Sequence, residues 1–150
     1  MRLLRLYASE QDNEDISNSS LRFITCASAP LSPDDINAFE DKFNVPVLNC
    51  YGLTETAGWS ACSPNKSYRN LNSVGRALNC TIRIVDDAGR VLDPGNKGEI
   101  QIKGPSVMPH YYTPASDSDT SETNAIDAGK SSLPDVVKDG WFSTGDIGKL

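Results

Sequence analysis

The chain has 150 residues, of which 38% are hydrophobic and 23% charged, and a formal net charge of −6 at pH 7. This length suits one modest domain, because domains commonly contain about 100–150 residues, and the composition is ordinary for a globular protein. No apolar run approaches the roughly 20 residues that span a bilayer. The excess of acidic residues argues against a protein that binds nucleic acid non-specifically, because such binding needs clustered Lys and Arg.

The first half of the chain predicts a strand, a helix and a second strand after a polar N-terminal segment, residues 1–20. LRFITCA, which begins at Leu21, is short, apolar and rich in β-branched and aromatic residues, as in a buried strand. Ser32 is placed to cap a helix that has proline in its first turn, and Asn44 suits its end. Three apolar residues would share one face of this helix, Ile36, Phe39 and Phe43. PVLNCY predicts the second strand, so we assign residues 21–75 to an α/β part.

The second half, residues 76–150, predicts a β-rich part. Apolar and polar residues alternate from Cys80 to Val85, with Val85 on the polar face, and alternate again in GEIQIKG, so each segment predicts a strand with turns at DAG and DPG between them. We assign GEIQIKG no chemistry, and we expect Trp141 and Phe142 to anchor the core. Residues 113–139 are dominated by Ser, Thr, Asp and Pro, which is typical of a mobile surface loop.

Four cysteines lie at positions 26, 50, 62 and 80, and they form no CxxC pair or ligand-like cluster. This spacing favours buried, reduced thiols over a zinc site or a disulfide framework. We therefore expect a reducing, cytoplasmic compartment.

The segment YGLTET, residues 51–56, combines an aromatic ring, a glycine, hydroxyls and a carboxylate directly after the second predicted strand. Such groups can bind a nucleotide, but a single hexapeptide of this kind is more often a solvated turn. The choice between the two depends on the wider context. Five segments follow one another in order along the chain: LRFITCASAPL, NCYGLTET, NSVGRAL, GEIQIKG and DGWFSTGD.

Together these segments resemble the adenylate-forming, or AMP-binding, superfamily of acyl- and aryl-CoA synthetases, luciferases and peptide-synthetase adenylation domains, across residues 21–150. The leucine at position 53 makes this motif resemble that of the CoA-ligase branch, because peptide-synthetase domains more often have proline at this position. The resemblance implies an α/β fold: a strand–helix–strand portion of the large N-terminal domain, followed by a truncated, β-rich, barrel-like subdomain. In this family a carboxylate attacks the α-phosphorus of ATP, giving an acyl-adenylate and pyrophosphate, and a thiol, usually that of coenzyme A, then takes the acyl group.

The resemblance also implies which residues bind the nucleotide. The adenine and AMP site would be lined by four residues, largely through backbone groups: Ser28, Ala29, Asn49 and Cys50. The ring of Tyr51 would stack on adenine. Asp146, in STGD, would accept hydrogen bonds from the ribose hydroxyls. Without the resemblance, Tyr51 is equally a strand-end tyrosine packed on a sheet, and Asp146 an ordinary turn residue.

Two residues of YGLTET would take part in the chemistry. Thr54 has a hydroxyl that can donate to a phosphate oxygen, and Glu55 offers a carboxylate ligand for Mg²⁺, which prefers oxygen. Gly52 would let the substrate approach the backbone where a side chain would block the acyl pocket. The implied small molecules are therefore ATP or AMP, Mg²⁺, a carboxylic acid and coenzyme A.

Several positions depart from the pattern of this family. His110, Ala27 and Ser143 stand where glycine, glycine and arginine are usual, and the segment between Tyr112 and Asp139 is longer than the usual connection. Catalysis by His110, the only histidine, is not expected. We find no phosphate loop ending in Lys, and the chain stops before the small domain that carries the catalytic lysine.

These features predict a fragment of an ATP-dependent, carboxylate-activating ligase, whose partner is the remainder of the adenylating enzyme. The isolated chain would not complete catalysis. Three alternatives stay open: a non-catalytic nucleotide-binding or interaction module derived from the same fold, a piece of a peptide-synthetase adenylation domain, and an unrelated β-rich protein that lacks a strand before Tyr51.

Overall fold

The structure, a computed structural model, describes residues 20–111 and 136–150. These residues form two compact units, one ending at Leu78 and the other beginning at Asn79. The first unit contains β1 (Ile24–Cys26), α1 (Pro33–Phe43), β2 (Val47–Leu53), a 3₁₀ turn (Thr54–Thr56), β3 (Gly58–Cys62) and β4 (Arg76–Ala77). The second contains β5 (Thr81–Val85), β6 (Gly98–Lys103), β7 (Val137–Lys138) and β8 (Trp141–Gly148). No helix among the described residues is long and apolar enough to cross a membrane.

The predicted strand–helix–strand unit is confirmed. β1 and β2 pair in parallel, with Ile24 opposite Val47, and α1 makes the crossover between them. The side chain of Ser32 caps the helix by accepting from the Asp35 N–H at 3.1 Å. Asn44 ends it in the left-handed conformation, φ 52°, which asparagine tolerates better than most residues. β1 is shorter than expected and omits Leu21 to Phe23.

The core of the first unit lies between α1 and the sheet. It consists of five buried residues, Ile36, Phe39, Phe43, Val45 and Val47. The rings of Phe39 and Phe43 are 4.6 Å apart between centroids, at a tilted angle that aromatic pairs favour. Leu31, just before the helix, packs against this cluster. The apolar helix face predicted from the sequence is therefore the face that packs on the sheet.

The first sheet continues beyond the parallel pair in the order β1-β2-β3-β4, with β2–β3 and β3–β4 antiparallel. β2 runs through Tyr51 to Leu53, so the first half of YGLTET is strand rather than a segment after it. A strand therefore leads directly into Tyr51, which is contrary to the alternative of an unrelated β-rich protein. β3 and β4 were not predicted, because GWSAC lacks a clean polar–apolar alternation and begins with a glycine.

The second unit has an antiparallel, half-barrel-like sheet in the order β5-β6-β8-β7. The strands predicted at TIRIV and GEIQIK are confirmed, and Ile82 pairs with Ile102. Among the described residues of this unit, the buried ones are Ile84, Val85, Ile102 and Phe142. Val85, which the alternation places on the face opposite Ile84, is buried as well, and Val91 forms an isolated antiparallel bridge with it.

Two expectations for the second unit need correction. Val137 and Lys138, at the end of the predicted loop 113–139, form β7; residues 113–135 lie outside the described residues. Phe142 is a core residue as expected, but Trp141 is only half-buried. The guanidinium of Arg83 lies 3.9 Å from the centroid of the Trp141 ring, so this ring is covered by a cation rather than by the core.

The fold class is thus confirmed: a mixed α/β arrangement with a strand–helix–strand portion and a second, β-rich portion. The boundaries predicted for the parts, residues 1–20, 21–75 and 76–150, stay a prediction.

Candidate functional site

A cavity of about 600 Å³ in the first unit is built around YGLTET. Nine residues line it: Ala27, Ser28, Gly52, Leu53, Thr54, Glu55, Ala57, Gly58 and Trp59. Four of them are residues that the sequence assigned to a nucleotide or acyl site, Ser28, Gly52, Thr54 and Glu55. The structure therefore brings the end of β1 and the end of β2 to one cavity, as expected where a parallel strand pair ends.

The 3₁₀ turn sets the direction of each side chain of the motif. Thr54 is exposed, Glu55 is half-buried at the cavity wall, and Thr56 is fully buried. On the other side, Ser28 has φ 72°, a left-handed conformation that a non-glycine residue rarely adopts. The backbone after β1 therefore turns sharply where it meets the cavity.

Thr56 stabilises the turn through hydrogen bonds of its buried hydroxyl. Its hydroxyl accepts from the Leu53 N–H at 3.2 Å and lies within donating distance of two carbonyls, those of Leu53 at 3.0 Å and Gly58 at 3.1 Å. The Ala57 N–H closes the turn by donating to the Thr54 carbonyl at 3.0 Å. Because these bonds are buried or half-buried, they hold the backbone that carries Thr54 and Glu55 in one conformation.

Gly52 has a packing role that the sequence analysis did not recognise. A Cβ atom at this position would lie 1.8 Å from the Gly58 carbonyl oxygen and 2.7 Å from the Trp59 Cα. The register of β2 and β3 shifts between Tyr51 and Gly52, so the two strands approach closely at this bulge. The predicted reason for glycine, an open path for substrate, stays a prediction beside this observed one.

Other predicted site residues do not line the cavity. Ala29 is exposed just beyond it, while Asn49 and Tyr51 are half-buried on β2. Cys50 is only 4% exposed and faces Cys62. Their assignment to the AMP site stays a prediction.

Asp146 belongs to the second unit, where it is exposed on β8. Its backbone N–H donates to the Thr144 hydroxyl at 3.1 Å. Its assignment to the ribose hydroxyls stays a prediction. His110, for which no catalysis was expected, is exposed in the same unit.

The donor set at the cavity fits a magnesium ion that arrives with a phosphate ligand. In the part of the chain that the structure describes, no three or more His, Cys, Asp or Glu side chains are grouped to hold a metal ion. Glu55 is the acidic residue of the cavity lining. Magnesium commonly takes one or two carboxylates and completes its shell with water and substrate phosphates, so one carboxylate beside the Thr54 hydroxyl suffices for such a site.

Trp59 is a cavity residue that the sequence analysis missed. It is 49% exposed on β3, and with Leu53 it gives the cavity an apolar wall. In the sequence, Trp59 stands three residues after YGLTET, in a segment where no helix or strand was predicted. Without β3, its position beside Gly52 was not apparent.

The expectation of buried cysteines holds for Cys50 alone. None of the four cysteines, all of which the structure describes, is in a disulfide, but Cys26, Cys62 and Cys80 are only half-buried. Burial raises the pKa of the Cys50 thiol to about 12, and the neighbouring Cys62 sulfur adds to the shift. Cys50 is therefore a protonated thiol at neutral pH.

The profile of the AMP-binding enzyme family matches residues 1–112 of this chain. The chain belongs to this family. The AMP-binding profile covers the whole first unit, including the cavity around YGLTET, and reaches past β6. The predicted resemblance is confirmed.

Two curated relatives of this chain are CoA ligases. An indoleacetate–CoA ligase from Aromatoleum aromaticum is 38% identical over 87% of the chain, and an oxalate–CoA ligase from Arabidopsis thaliana is 32% identical over 97% of it. These alignments cover 23% and 25% of the two relatives, so the chain spans about a quarter of their length.

The solved structures show the same relationship. One of them is an o-succinylbenzoate–CoA synthetase from Bacillus subtilis in complex with its acyl-adenylate intermediate. The match covers 99% of this chain and 27% of the synthetase chain, with 30% sequence identity and a TM-score of 0.70. The same enzyme has been solved with ATP and a magnesium ion, with a TM-score of 0.66.

Proposed function

We propose that this chain is the part of an ATP-dependent acyl- or aryl-CoA ligase that binds the nucleotide and its magnesium ion beside the carboxylate to be activated. One observation carries the proposal: Thr54 and Glu55 stand on a rigid turn at the wall of a 600 Å³ cavity. The cavity thus combines a hydroxyl donor and a hard oxygen ligand, the groups that a phosphate–magnesium complex needs.

The chemistry of activation sets what these residues would do. A carboxylate attacking the α-phosphorus must approach a group that is already negatively charged, so the reaction depends on charge neutralisation and alignment. Magnesium supplies the neutralising charge when it is bound. Glu55 would hold the ion, and Thr54 would donate its hydroxyl to a phosphate oxygen.

The apolar side of the cavity suits the acyl group. Leu53 and Trp59 provide apolar surface, and Gly52 adds none that would fill the space. A carboxylic acid would place its acyl chain against this wall with its carboxylate toward Thr54 and Glu55.

The complete reaction is proposed for the protein in which these residues work. There the acyl-adenylate and pyrophosphate would form first, and the thiol of coenzyme A would then attack the acyl carbon and release AMP. The 150 residues contain no Lys-terminated phosphate loop, so on their own they are proposed to bind nucleotide without completing either step. A cytoplasmic location is part of the same proposal.

Titration of the chain with AMP tests this function. Tyr51→Ala should weaken AMP binding by roughly 5- to 150-fold, because base stacking on an aromatic ring contributes about 1–3 kcal/mol. Tyr68→Ala is the matched control, since Tyr68 is 77% exposed and lies outside the cavity, and it should leave affinity unchanged. Equal affinity in all three proteins, or no AMP binding at all, would favour the alternative of a non-catalytic interaction module.

A second assay addresses turnover by the isolated chain. With ATP, magnesium, carboxylates and labelled pyrophosphate, the chain should show no exchange of label into ATP. Robust exchange would contradict the proposal that these residues bind without completing the first step.

A further inference from the structure

Cys50 and Cys62 face each other on the adjacent strands β2 and β3. They are direct partners in the antiparallel register, and their Sγ atoms are 2.6 Å apart, in direct contact. The proposed nucleotide chemistry makes no use of this contact, since neither sulfur lines the 600 Å³ cavity.

The hydrogen bonds around the pair define its geometry. The Ser63 N–H donates to the Asn49 carbonyl at 2.8 Å, one step beyond the pair on each strand. This pattern places Cys50 and Cys62 at a non-hydrogen-bonded position, where facing residues of an antiparallel pair lie closest, with Cα atoms about 4.5 Å apart. Disulfides join Cα atoms separated by about 4.4–6.8 Å. The backbone therefore already has the spacing that a cross-strand bond requires.

A small oxidant can reach the pair. Cys62 is half-buried and lines a second cavity in the first unit, about 450 Å³ in volume. Leu48, two residues before Cys50 and therefore on the same face of β2, lines this cavity as well. The open side of the pair is thus the face of the sheet opposite α1.

Cys26 is not placed to compete for Cys50. It is in register with Asn49 on β2, and neighbouring residues of a strand point to opposite faces. Cys26 accordingly packs against the cluster under α1, while Cys50 points toward Cys62. Cys80 belongs to the second unit.

We propose that Cys50 and Cys62 form a reversible cross-strand disulfide when the protein meets a peroxide. Cys62 attacks the peroxide O–O bond through its sulfur, becoming a sulfenic acid and releasing water. Cys50 then attacks the Cys62 sulfur; the S–O bond breaks, and the departing hydroxide takes the Cys50 proton as a second water. Two thiols lose two electrons and two protons, and hydrogen peroxide is reduced to two waters.

The order of these steps follows from exposure. Cys50 is only 4% exposed, so an oxidant from solvent does not reach its sulfur directly. Cys62, which faces the second cavity, therefore meets the oxidant first. The product would join β2 to β3 on either side of residues 51–61 and so enclose YGLTET in a covalent loop.

The test is a disulfide map of the whole chain. The folded protein is treated with hydrogen peroxide, free thiols are alkylated, and the denatured product is cut without reductant by a protease that cleaves after Glu55, between the two cysteines. We expect the Cys50 and Cys62 peptides to remain joined, with two hydrogens lost, and to separate after dithiothreitol. Cys62→Ser and Cys62→Ala should both abolish the joined product, whereas Cys26→Ser and Cys80→Ser should retain it.

Several results would overturn the proposal. They are full alkylation of Cys50 and Cys62 after peroxide treatment, a bond from Cys50 to Cys26, a bond between two molecules in place of the internal one, or a joined product that dithiothreitol does not release.

Discussion

Arg69 forms a bidentate ion pair with the buried carboxylate of Glu40 through both of its terminal nitrogens. Nη2 donates to Oε2 at 2.7 Å, and Nη1 donates to Oε1 and also to the Val47 carbonyl. Glu40 in turn accepts from the Val47 N–H at 2.7 Å. This cluster joins α1, the start of β2 and the segment between β3 and β4, so it stabilises the strand that carries the candidate site.

Removal of the arginine should be far more costly than removal of the nearby lysine. Arg69→Met leaves the Glu40 carboxylate buried without its main partner, and we expect a loss of about 3–5 kcal/mol in the free energy of unfolding. Lys66 also contacts Glu40, at 3.2 Å, but its side chain is 56% exposed. Lys66→Met should therefore cost about 0–1 kcal/mol. Urea unfolding of both variants measures this, and equal losses would contradict the assignment.

The same cluster predicts a dependence of stability on pH. Burial by itself would raise the pKa of Glu40, but hydrogen bonds from Arg69, the Val47 N–H and Lys66 outweigh it and lower the pKa from 4.5 to about 2. The folded state therefore binds this proton less readily than the unfolded state. The resulting stabilisation, about 3 kcal/mol, is complete above the unfolded pKa and is lost as pH falls from about 5 toward 2.

Comparison with Glu40→Gln isolates this effect, because glutamine does not titrate. The advantage of the wild-type protein in unfolding free energy should shrink between about pH 5 and about pH 2. An advantage that stays constant over this range would show that the pKa of Glu40 is not lowered by folding.

Two glycines of the cavity should respond differently to alanine. At Gly52 the added Cβ would meet the Gly58 carbonyl at 1.8 Å, whereas at Gly58, with φ 110°, it would meet nothing within 4 Å. Gly58→Ala should cost only the strain of its conformation, about 1–3 kcal/mol. Gly52→Ala should cost more, because β2 and β3 must separate. Thermal unfolding compares them, and a milder effect at Gly52 would contradict the close approach of the strands.

The hydroxyl of Thr56 should matter for stability, and that of Thr54 for ligand binding. Thr56→Val keeps the shape but leaves the Leu53 N–H without its partner, at a cost of about 1–3 kcal/mol. Thr54 is exposed, so Thr54→Val should leave the free energy of unfolding unchanged but lower the affinity for nucleoside triphosphate. Unfolding and binding measured on both variants should show this division, and the reverse pattern would contradict the roles given to the turn.

Much of the first unit could be predicted from sequence because its signals are local. Ser32, Asn44 and the spacing of Ile36 and Phe39 define α1 through capping and periodicity, which act within a few residues. The start of the second strand was predictable from a local signal as well, the short segment PVLNCY directly after the helix stop at Asn44. Its extension to Leu53 was not, because that part is paired with β3, and β3 has no local signature of its own.

The site was predictable only where residue type and family pattern coincide. Thr54 and Glu55 offer a hydroxyl and a carboxylate in their own side chains, so a place at a cavity could be predicted for them from the motif. Trp59 and the packing role of Gly52 depend on the contact between β2 and β3, and the pair of Cys50 with Cys62 depends on the same register. Pairing between strands twelve residues apart is not encoded in either segment by itself.

The most direct test of the central claim is calorimetric titration of the chain with ATP in the presence and absence of magnesium, for the wild type, Glu55→Gln and Asp41→Asn. Asp41 is an exposed acid on α1 and serves as the matched control. We predict that magnesium strengthens ATP binding to the wild type and to Asp41→Asn but has little effect on Glu55→Gln. Binding that responds to magnesium equally in all three proteins would contradict the role of Glu55 and the site built around it.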